Sequence, residues 1–250
     1  MKGFTHSIES FGSVDGPGIR FILFVQGCGL KCSYCHNPDS WVMKEGKEME
    51  VDHVLSEVLK YKEFFACSGG GITVSGGEPL LQMPFVTELF KACQKHGIHT
   101  NLDTSGDLRL TTEARREQLR GLLKYTDMVM LDIKLMDAAG HKALTGKTNE
   151  HILELGRFIS ETGTPMWIRR VLVPGVTDDL TDLQQTADYI STLDAVEKIE
   201  VLPYHAMGEY KWEKMGMTYP LPGKEAPSEE AVAQAEEILQ AGLAKKTKVA

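Results

Sequence analysis

The chain has 250 residues, a hydrophobic content of 42%, a charged content of 25% and a net charge of −8. These values are typical of a globular protein and are sufficient for one large α/β domain. The acidic balance excludes nucleic acid as the default partner, because phosphate binding needs a basic surface. The N-terminus has no apolar leader and no run approaches membrane-spanning length, so we expect a cytoplasmic protein without a membrane partner.

Six short apolar segments bounded by turn residues are predicted strands, and they alternate with segments of helical periodicity. The predicted strands are 20–26, 72–75, 99–103, 128–134, 166–173 and 198–202. The predicted helices are 51–66, 84–96, 111–124, 149–162, 179–193 and 228–243. Residues 205–226 lack clear periodicity, and we expect them to be irregular.

This alternation predicts a parallel sheet with right-handed crossovers and leaves two architectures, an open doubly wound sheet and an incomplete barrel. Polar residues follow each predicted strand, and a barrel would bring all of them to one rim, whereas an open sheet would spread them along an edge. We therefore favour an α/β fold of the partial (β/α)6 TIM-like barrel type with parallel strands. We expect a single domain over 1–250, with a core barrel at about 19–205 and a C-terminal loop and helix, 206–250, covering it.

Three of the five cysteines lie within eight residues, spaced C-x3-C-x2-C. In a chain without a secretory signal, this density predicts metal ligation rather than disulfides. A structural zinc site would need a fourth ligand, and no second C-x2-C pair follows, although His36 or a distant residue leaves a zinc knuckle open. Three soft thiolates instead favour an iron–sulfur cluster with one iron lacking a protein ligand. The three cysteines are Cys28, Cys32 and Cys35, and we expect the other two, Cys67 and Cys93, to be small buried hydrophobes.

Two further groups carry candidate chemistry. Gly76, Gly77 and Glu78 end the second predicted strand, where glycines permit close approach to a ligand and the carboxylate can accept hydrogen bonds from an ammonium group. Taken alone, this sequence also fits a simple turn. Asp132 and Lys134 are two residues apart and should share one face of their strand, either as a structural ion pair or as a bidentate contact to a cofactor.

The cysteine spacing, with Tyr34 directly before the third cysteine, resembles the signature of radical S-adenosylmethionine (SAM) enzymes. The resemblance implies that the three cysteines hold a [4Fe-4S] cluster whose fourth iron binds the amino and carboxylate groups of SAM. It also implies that Gly77 and Glu78 meet the SAM amino group and that Tyr34 approaches the adenine. The remaining implied SAM contacts are Cys35, His36, Gly76, Asp103, Asp132, Ile133, Lys134 and His205, and a monovalent cation is implied at Asp103, Thr104 and Asp132.

Motifs along almost the whole chain resemble, in order, the glycyl-radical-enzyme activases of the pyruvate formate-lyase activating type. They lie at residues 10–20, 34–38, 75–81, 131–134 and 202–205. Only Cys67 lies between Cys35 and Gly76, so the chain lacks the cysteine-rich ferredoxin-like insert of several related activases. The resemblance implies reductive cleavage of SAM to a 5′-deoxyadenosyl radical, which abstracts a glycine α-hydrogen of pyruvate formate-lyase.

The same resemblance implies a role in anaerobic glucose metabolism, an electron donor such as flavodoxin or ferredoxin, and a monomeric state. Asp15 would meet a basic residue near the target glycine. Because long irregular segments in a compact domain are usually functional, we expect residues 205–226 to help line a groove for the substrate peptide; the alternative is that they only cover the open side of the barrel. Three alternatives stay open: a radical SAM enzyme acting on a small molecule, an activase of another glycyl radical enzyme, and a non-enzymatic electron carrier or zinc module.

Overall fold

The computed structural model describes residues 1–246, whose strands form one mostly parallel sheet. Contacts divide the chain into two compact units. The first unit contains Met1–Gly29 and Ser40–Met130, and the second contains Leu30–Asp39 and the chain from Leu131 onward. The chain therefore enters the second unit between Cys28 and Cys32, returns to the first unit at Ser40, and enters the second unit again within a central strand.

The first unit builds its sheet from both antiparallel and parallel strands. Its elements are β1 (Lys2–Gly12), β2 (Arg20–Val25), β3 (Lys47–Glu50), α1 (Val51–Leu59), α2 (Lys62–Ser68), β4 (Gly71–Gly76), α3 (Met83–Lys95), β5 (His99–Thr104), α4 (Glu113–Leu123) and the start of β6 (Met128–Asp132). β1 pairs antiparallel with both β2 and β3, whereas β2, β4 and β5 pair in parallel. β2 is almost wholly apolar, whereas β4 and β5 also carry polar residues. Ile22, Val74 and Leu102 are fully buried, as expected for a sheet with both faces covered.

The second unit continues the alternation of strands and helices. It contains the end of β6, then α5 (Ala138–Thr145), α6 (Glu150–Glu161), β7 (Met166–Leu172), α7 (Leu180–Ser191), β8 (Val196–Pro203), α8 (Glu209–Lys214) and α9 (Glu229–Lys246). β7 and β8 pair in parallel, and α9 packs against α7 and β8. Burial alternates along β7, so that Trp167, Arg169 and Val171 lie on its more accessible face.

The strand order confirms the predicted fold class. The described strands follow the order β3-β1-β2-β4-β5-β6-β7-β8, with β3 and β8 at the two ends, so the sheet is not closed. All six predicted strands are present, and from β2 onward they follow chain order. A doubly wound sheet would reverse this order at a switch point, so the topology favours the partial-barrel alternative.

Several element boundaries were predicted wrongly. The strand predicted at 128–134 ends at Asp132, and the helix predicted at 51–66 is two helices separated at Tyr61, whose ψ of 7° lies outside the helical range. The segment 205–226, expected to be irregular, contains α8. β1 and β3 were missed. Of the predicted C-terminal part 206–250, residues 247–250 lie outside the described residues, and the single-domain interpretation stays a prediction.

None of the described helices is both long and apolar enough to cross a membrane.

Candidate functional site

The first cysteine of the motif lies in the first unit, in a loop that crosses the end of β4. The N–H of Gly27 donates to the Ser40 carbonyl at 2.7 Å, and the N–H of Cys28 donates to the Trp41 carbonyl at 3.1 Å. On the other side, the Glu78 N–H donates to the Gly27 carbonyl at 2.7 Å. A Cβ on Gly77 would lie 2.2 Å from that same carbonyl oxygen, so this position requires glycine because the two backbone segments touch.

Glu78 is the most enclosed of the predicted site residues, with no exposed surface. One carboxylate oxygen accepts from the Leu80 N–H at 3.0 Å and from Thr104 Oγ1 at 2.6 Å. The other accepts from the Ser105 N–H at 3.0 Å and from Ser105 Oγ at 2.5 Å. Burial raises the pKa of Glu78, and these hydrogen bonds only partly oppose that effect. Glu78 therefore connects the turn after β4 to the turn after β5.

Asp103 and Thr104 end β5 beside Glu78. Asp103 is nearly buried and accepts a hydrogen bond from Ser75 Oγ at 2.5 Å, while Thr104 Oγ1 donates to Glu78 and accepts from the Gly106 N–H at 2.9 Å. Asp132, the third predicted cation ligand, belongs to the second unit. The monovalent cation site stays a prediction.

Asp15 lies in a turn whose backbone is hydrogen-bonded to a network of buried polar side chains. Its carbonyl accepts from Thr73 Oγ1 at 2.7 Å and from Asn101 Nδ2 at 3.1 Å. The fully buried Arg20 donates from Nε to Thr73 Oγ1 at 3.0 Å, and burial lowers the pKa of Arg20 to about 10. Buried side chains of β4 and β5 thus hold the backbone of this turn at Asp15.

The second and third cysteines lie in the second unit, on a segment attached to the end of α5. The N–H groups of Lys31 and Ser33 donate to the carbonyls of Thr145 and Leu144, at 2.7 and 2.9 Å. The Cys35 N–H donates to the Cys32 carbonyl at 3.0 Å, which folds the segment into a tight turn. All three motif cysteines, Cys28 included, are partly accessible, whereas Cys93 is buried and Cys67 is exposed. The prediction of a buried hydrophobe is thus confirmed for Cys93 and wrong for Cys67, which lies near the end of the short helix α2.

Asp132 and Lys134 form an ion pair, and Arg169 joins them. Lys134 Nζ lies 2.9 Å from Asp132 Oδ2, and Arg169 Nε lies 3.1 Å from Asp132 Oδ1. Burial opposes ionisation of Asp132, but the charges of Lys134 and Arg169 prevail and lower its pKa. Burial likewise opposes the charge on Lys134, yet Asp132 raises its pKa well above the ordinary value. The predicted pairing is confirmed, although Lys134 lies beyond the strand end and the shared-face argument does not explain it.

Tyr34 packs beside this ion pair. Its ring centroid lies 5.5 Å from Lys134 Nζ, its side chain is buried, and its hydroxyl finds no hydrogen-bond partner within residues 1–246. Burial raises the pKa of Tyr34. Ile133 is also buried, and its N–H donates to the Arg169 carbonyl at 3.0 Å. The orphaned hydroxyl leaves one unused polar group next to a buried cation.

His36 and His205 contact each other directly. The His36 Nε2 donates to the His205 carbonyl at 3.0 Å, and the two ring centroids are 4.3 Å apart. Burial lowers the pKa of His36, so the neutral ring is favoured. The third cysteine is thus followed immediately by a contact to the end of β8.

The structure brings the predicted residues together in two groups, one in each unit. The first group is Cys28, Gly76, Gly77, Glu78, Asp103 and Thr104, and the second is Cys32, Tyr34, Cys35, His36, Asp132, Ile133, Lys134 and His205. Sequence reasoning missed Ser105 and Arg169. Arg169 carried a usable signal, because a charged residue in an otherwise apolar strand needs a partner; Ser105 carried none beyond its place in a turn.

Comparison with known proteins gives consistent matches. The family described as the radical SAM superfamily matches residues 22–190. A pyruvate formate-lyase-activating enzyme of Staphylococcus epidermidis is 51% identical over 94% of both chains. The enzyme of the same name from Staphylococcus aureus strain USA300 is 52% identical over 93% of both chains. Among solved structures, a domain of a pyruvate-formate lyase-activating enzyme from Bacteroides vulgatus superposes with a TM-score of 0.55 and 29% identity, covering 69% of this chain and 94% of that chain.

Proposed function

This chain belongs to the radical SAM superfamily and, within it, to the family of pyruvate formate-lyase-activating enzymes, and from that premise we propose how its residues divide the chemistry. The observation that supports the function most directly is a sequence identity of 51% and 52% to two pyruvate formate-lyase-activating enzymes, over nearly the full length of both chains. The chain is a radical SAM enzyme that activates pyruvate formate-lyase by forming a glycyl radical on it. Its cofactors are a [4Fe-4S] cluster and SAM.

We propose that Cys28, Cys32 and Cys35 are the protein ligands of the cluster. Two observations support this fit: the three side chains are soft thiol donors, and all three are partly accessible rather than sealed in the core. Backbone hydrogen bonds hold both parts of the segment, at Gly27 and Cys28 in one part and at Lys31, Ser33 and Cys35 in the other. When bound, the cluster and SAM supply the 5′-deoxyadenosyl radical that removes the glycine hydrogen.

We propose separate tasks for the two charged groups. Glu78 is an acceptor for the SAM ammonium, supported by its buried carboxylate, whose four hydrogen-bond donors are all neutral. The Asp132–Lys134 pair binds polar groups of SAM, supported by the low pKa of Asp132 and by the orphaned hydroxyl of Tyr34 beside Lys134. The same proposal includes further contacts to SAM, made by Gly76, Gly77, His36, Ile133 and His205. It also includes a monovalent cation bound by Asp103, Thr104 and Asp132.

The partner assignments are also proposals. Asp15 is the contact to a basic residue near the target glycine, supported by the buried network that fixes its turn. A one-electron donor protein of the flavodoxin or ferredoxin class reduces the cluster, and the chain acts as a monomer in anaerobic glucose metabolism. A cytoplasmic location is supported by the need to keep three thiols reduced for metal binding.

The test is anaerobic reconstitution with iron and sulfide, followed by incubation with SAM, a reductant and pyruvate formate-lyase. Electron paramagnetic resonance (EPR) should show a glycyl radical doublet on the partner. Cys28→Ala, Cys32→Ala and Cys35→Ala should each abolish the cluster chromophore, while Cys67→Ala should leave it intact, because Cys67 is exposed on α2, outside the motif. A full cluster in Cys32→Ala would contradict the ligand assignment, and SAM cleavage without a glycyl radical would favour a small-molecule substrate.

A further inference from the structure

Residues 204–219, here called the strap, run from the end of β8 through α8 and contact the segment that carries the third cysteine. The central contact is made by Trp212, which is almost fully buried. Its indole Nε1 donates a hydrogen bond to the backbone carbonyl of Cys35 at 2.9 Å.

Three more contacts attach the strap to the residues that follow Cys35. His36 donates to the His205 carbonyl at 3.0 Å, and Lys211 Nζ donates to Asn37 Oδ1 at 2.7 Å. The backbone at Gly208 passes so close that a Cβ there would lie 2.7 Å from the His36 Cα. The strap therefore contacts each residue from Cys35 to Asn37, and the absence of a side chain at Gly208 permits this close approach.

The indole is itself held in place from behind. The Tyr219 ring meets Trp212 edge-on, with centroids 5.7 Å apart, and the hydroxyls of Tyr219 and Tyr204 lie 2.7 Å apart in a buried hydrogen bond. Tyr204 directly follows β8, and its N–H donates to the Leu172 carbonyl at 3.1 Å. The position of the Cys35 carbonyl is thus set by the sheet, through Tyr204, Tyr219 and Trp212 in turn.

We propose that Trp212 is a positioning residue for the iron–sulfur cluster, which fixes the Cys35 thiolate through its backbone and favours the reduced cluster with its N–H dipole. This inference rests on the proposed function, because it takes Cys35 as a cluster ligand. Hydrogen bonds around ligand residues orient them and tune metal affinity and reduction potential. An N–H group donating to the Cys35 carbonyl presents its positive end to the ligand residue, and positive charge nearby stabilises the state with one more electron.

The test compares Trp212→Phe with Tyr210→Phe in the full-length protein reconstituted anaerobically. Phenylalanine at 212 keeps an aromatic ring beside Tyr219 and removes the N–H donor together with part of the indole volume. Tyr210→Phe removes an exposed hydroxyl from the same strap helix and leaves the hydrogen bond to Cys35 in place, which makes it the matched control. The readouts are the midpoint potential of the cluster, followed by EPR during a redox titration, and the rate of iron loss to a chelator.

Trp212→Phe should lower the midpoint potential and speed iron loss about tenfold, the lower end of the usual effect of removing a supporting hydrogen bond at a metal site. Tyr210→Phe should leave the potential unchanged. Equal potentials and equal iron loss in the parent and Trp212→Phe would overturn this inference and leave the proposed function standing. Equal shifts of the potential in both variants would also overturn it, since a general loosening of the strap would explain them. A parent protein that binds no cluster would overturn the proposed function and, with it, this inference.

Discussion

Two carboxylates with little solvent exposure lie at strand ends, Glu78 just after β4 in the first unit and Asp132 at the end of β6 in the second. Their hydrogen-bonding partners differ in charge. Glu78 accepts from two hydroxyls and two backbone N–H groups, all neutral. Asp132 is bonded to the cations Lys134 and Arg169. Burial opposes the negative charge in both places, but the pKa of Glu78 is raised whereas the pKa of Asp132 is lowered.

The difference shows that burial alone does not decide the charge of a carboxylate in this protein. Neutral donors offset only part of the pKa increase that burial causes at Glu78. At Asp132, two nearby cations more than offset the corresponding increase. Glu78 would therefore gain from a cationic ligand, and Asp132 already has its counter-ions. This is the physical basis for assigning the ammonium group of SAM to Glu78 rather than to Asp132.

The largest effect is expected for Asp132→Asn. Removing this charge takes the paired carboxylate away from Lys134, which exposes only 7% of its side chain, and breaks the ion pair with Arg169. Breaking a buried pair in this way costs about 3–5 kcal/mol of the free energy of unfolding. Urea unfolding of the metal-free protein measures it, with Asp188→Asn as the control, because Asp188 and its partner Lys245 are exposed. Equal losses in the two variants would contradict the view that Asp132 is held by buried charges.

A smaller loss is expected for Glu78→Gln. The amide keeps one acceptor oxygen but turns an NH2 group toward two of the four donors, so part of the network is left unsatisfied. The expected cost is about 1–3 kcal/mol, the range for an unpaired buried polar group. Glu57→Gln is the matched control, since Glu57 forms only a surface pair with Lys60 at 2.6 Å. A cost for Glu78→Gln above that of Asp132→Asn would reverse the comparison.

The sequence was informative about these two groups to different degrees. The motif around Glu78 and the pair Asp132–Lys134 were visible as polar residues after apolar strands. Ser105 and Arg169 were not identified, because hydrogen-bond partners 27 and 37 residues away in the chain depend on strand pairing. The alternation in β7 indicated which face Arg169 occupies, but not which neighbour it meets.

The fold was predictable where apolar runs dominate and less so where tertiary contacts decide. The six predicted strands were found, because each is bounded by turn residues and most are largely buried. β3 was missed, since it is a four-residue edge strand, Lys-Glu-Met-Glu, with three exposed side chains. β1 is mostly exposed along its second half and gains its strand structure by pairing with β2 and β3. α8 has only six residues, and Trp212 is its one buried side chain, so its periodicity was too short to detect.

The smallest but most specific effect is the pH dependence of stability, because the two carboxylates should give slopes of opposite sign. The folded protein holds the Glu78 proton more tightly than the unfolded chain, whose pKa is near the ordinary 4.5. The stability that Glu78 contributes is therefore fully present below pH 4.5 and is lost as the pH rises through its raised folded pKa. For Asp132 the folded pKa lies below the ordinary 3.8, so its contribution is present above pH 3.8 and is lost as the pH falls through the lowered value. The test is to measure the free energy of unfolding of the parent and both variants across this pH range. As the pH rises above 4.5, the parent should lose stability relative to Glu78→Gln. As the pH falls below 3.8, the parent should lose stability relative to Asp132→Asn. Slopes of the same sign in the two comparisons would mean that the partners' charges do not set the two pKa values, and the contrast between the two carboxylates would fail.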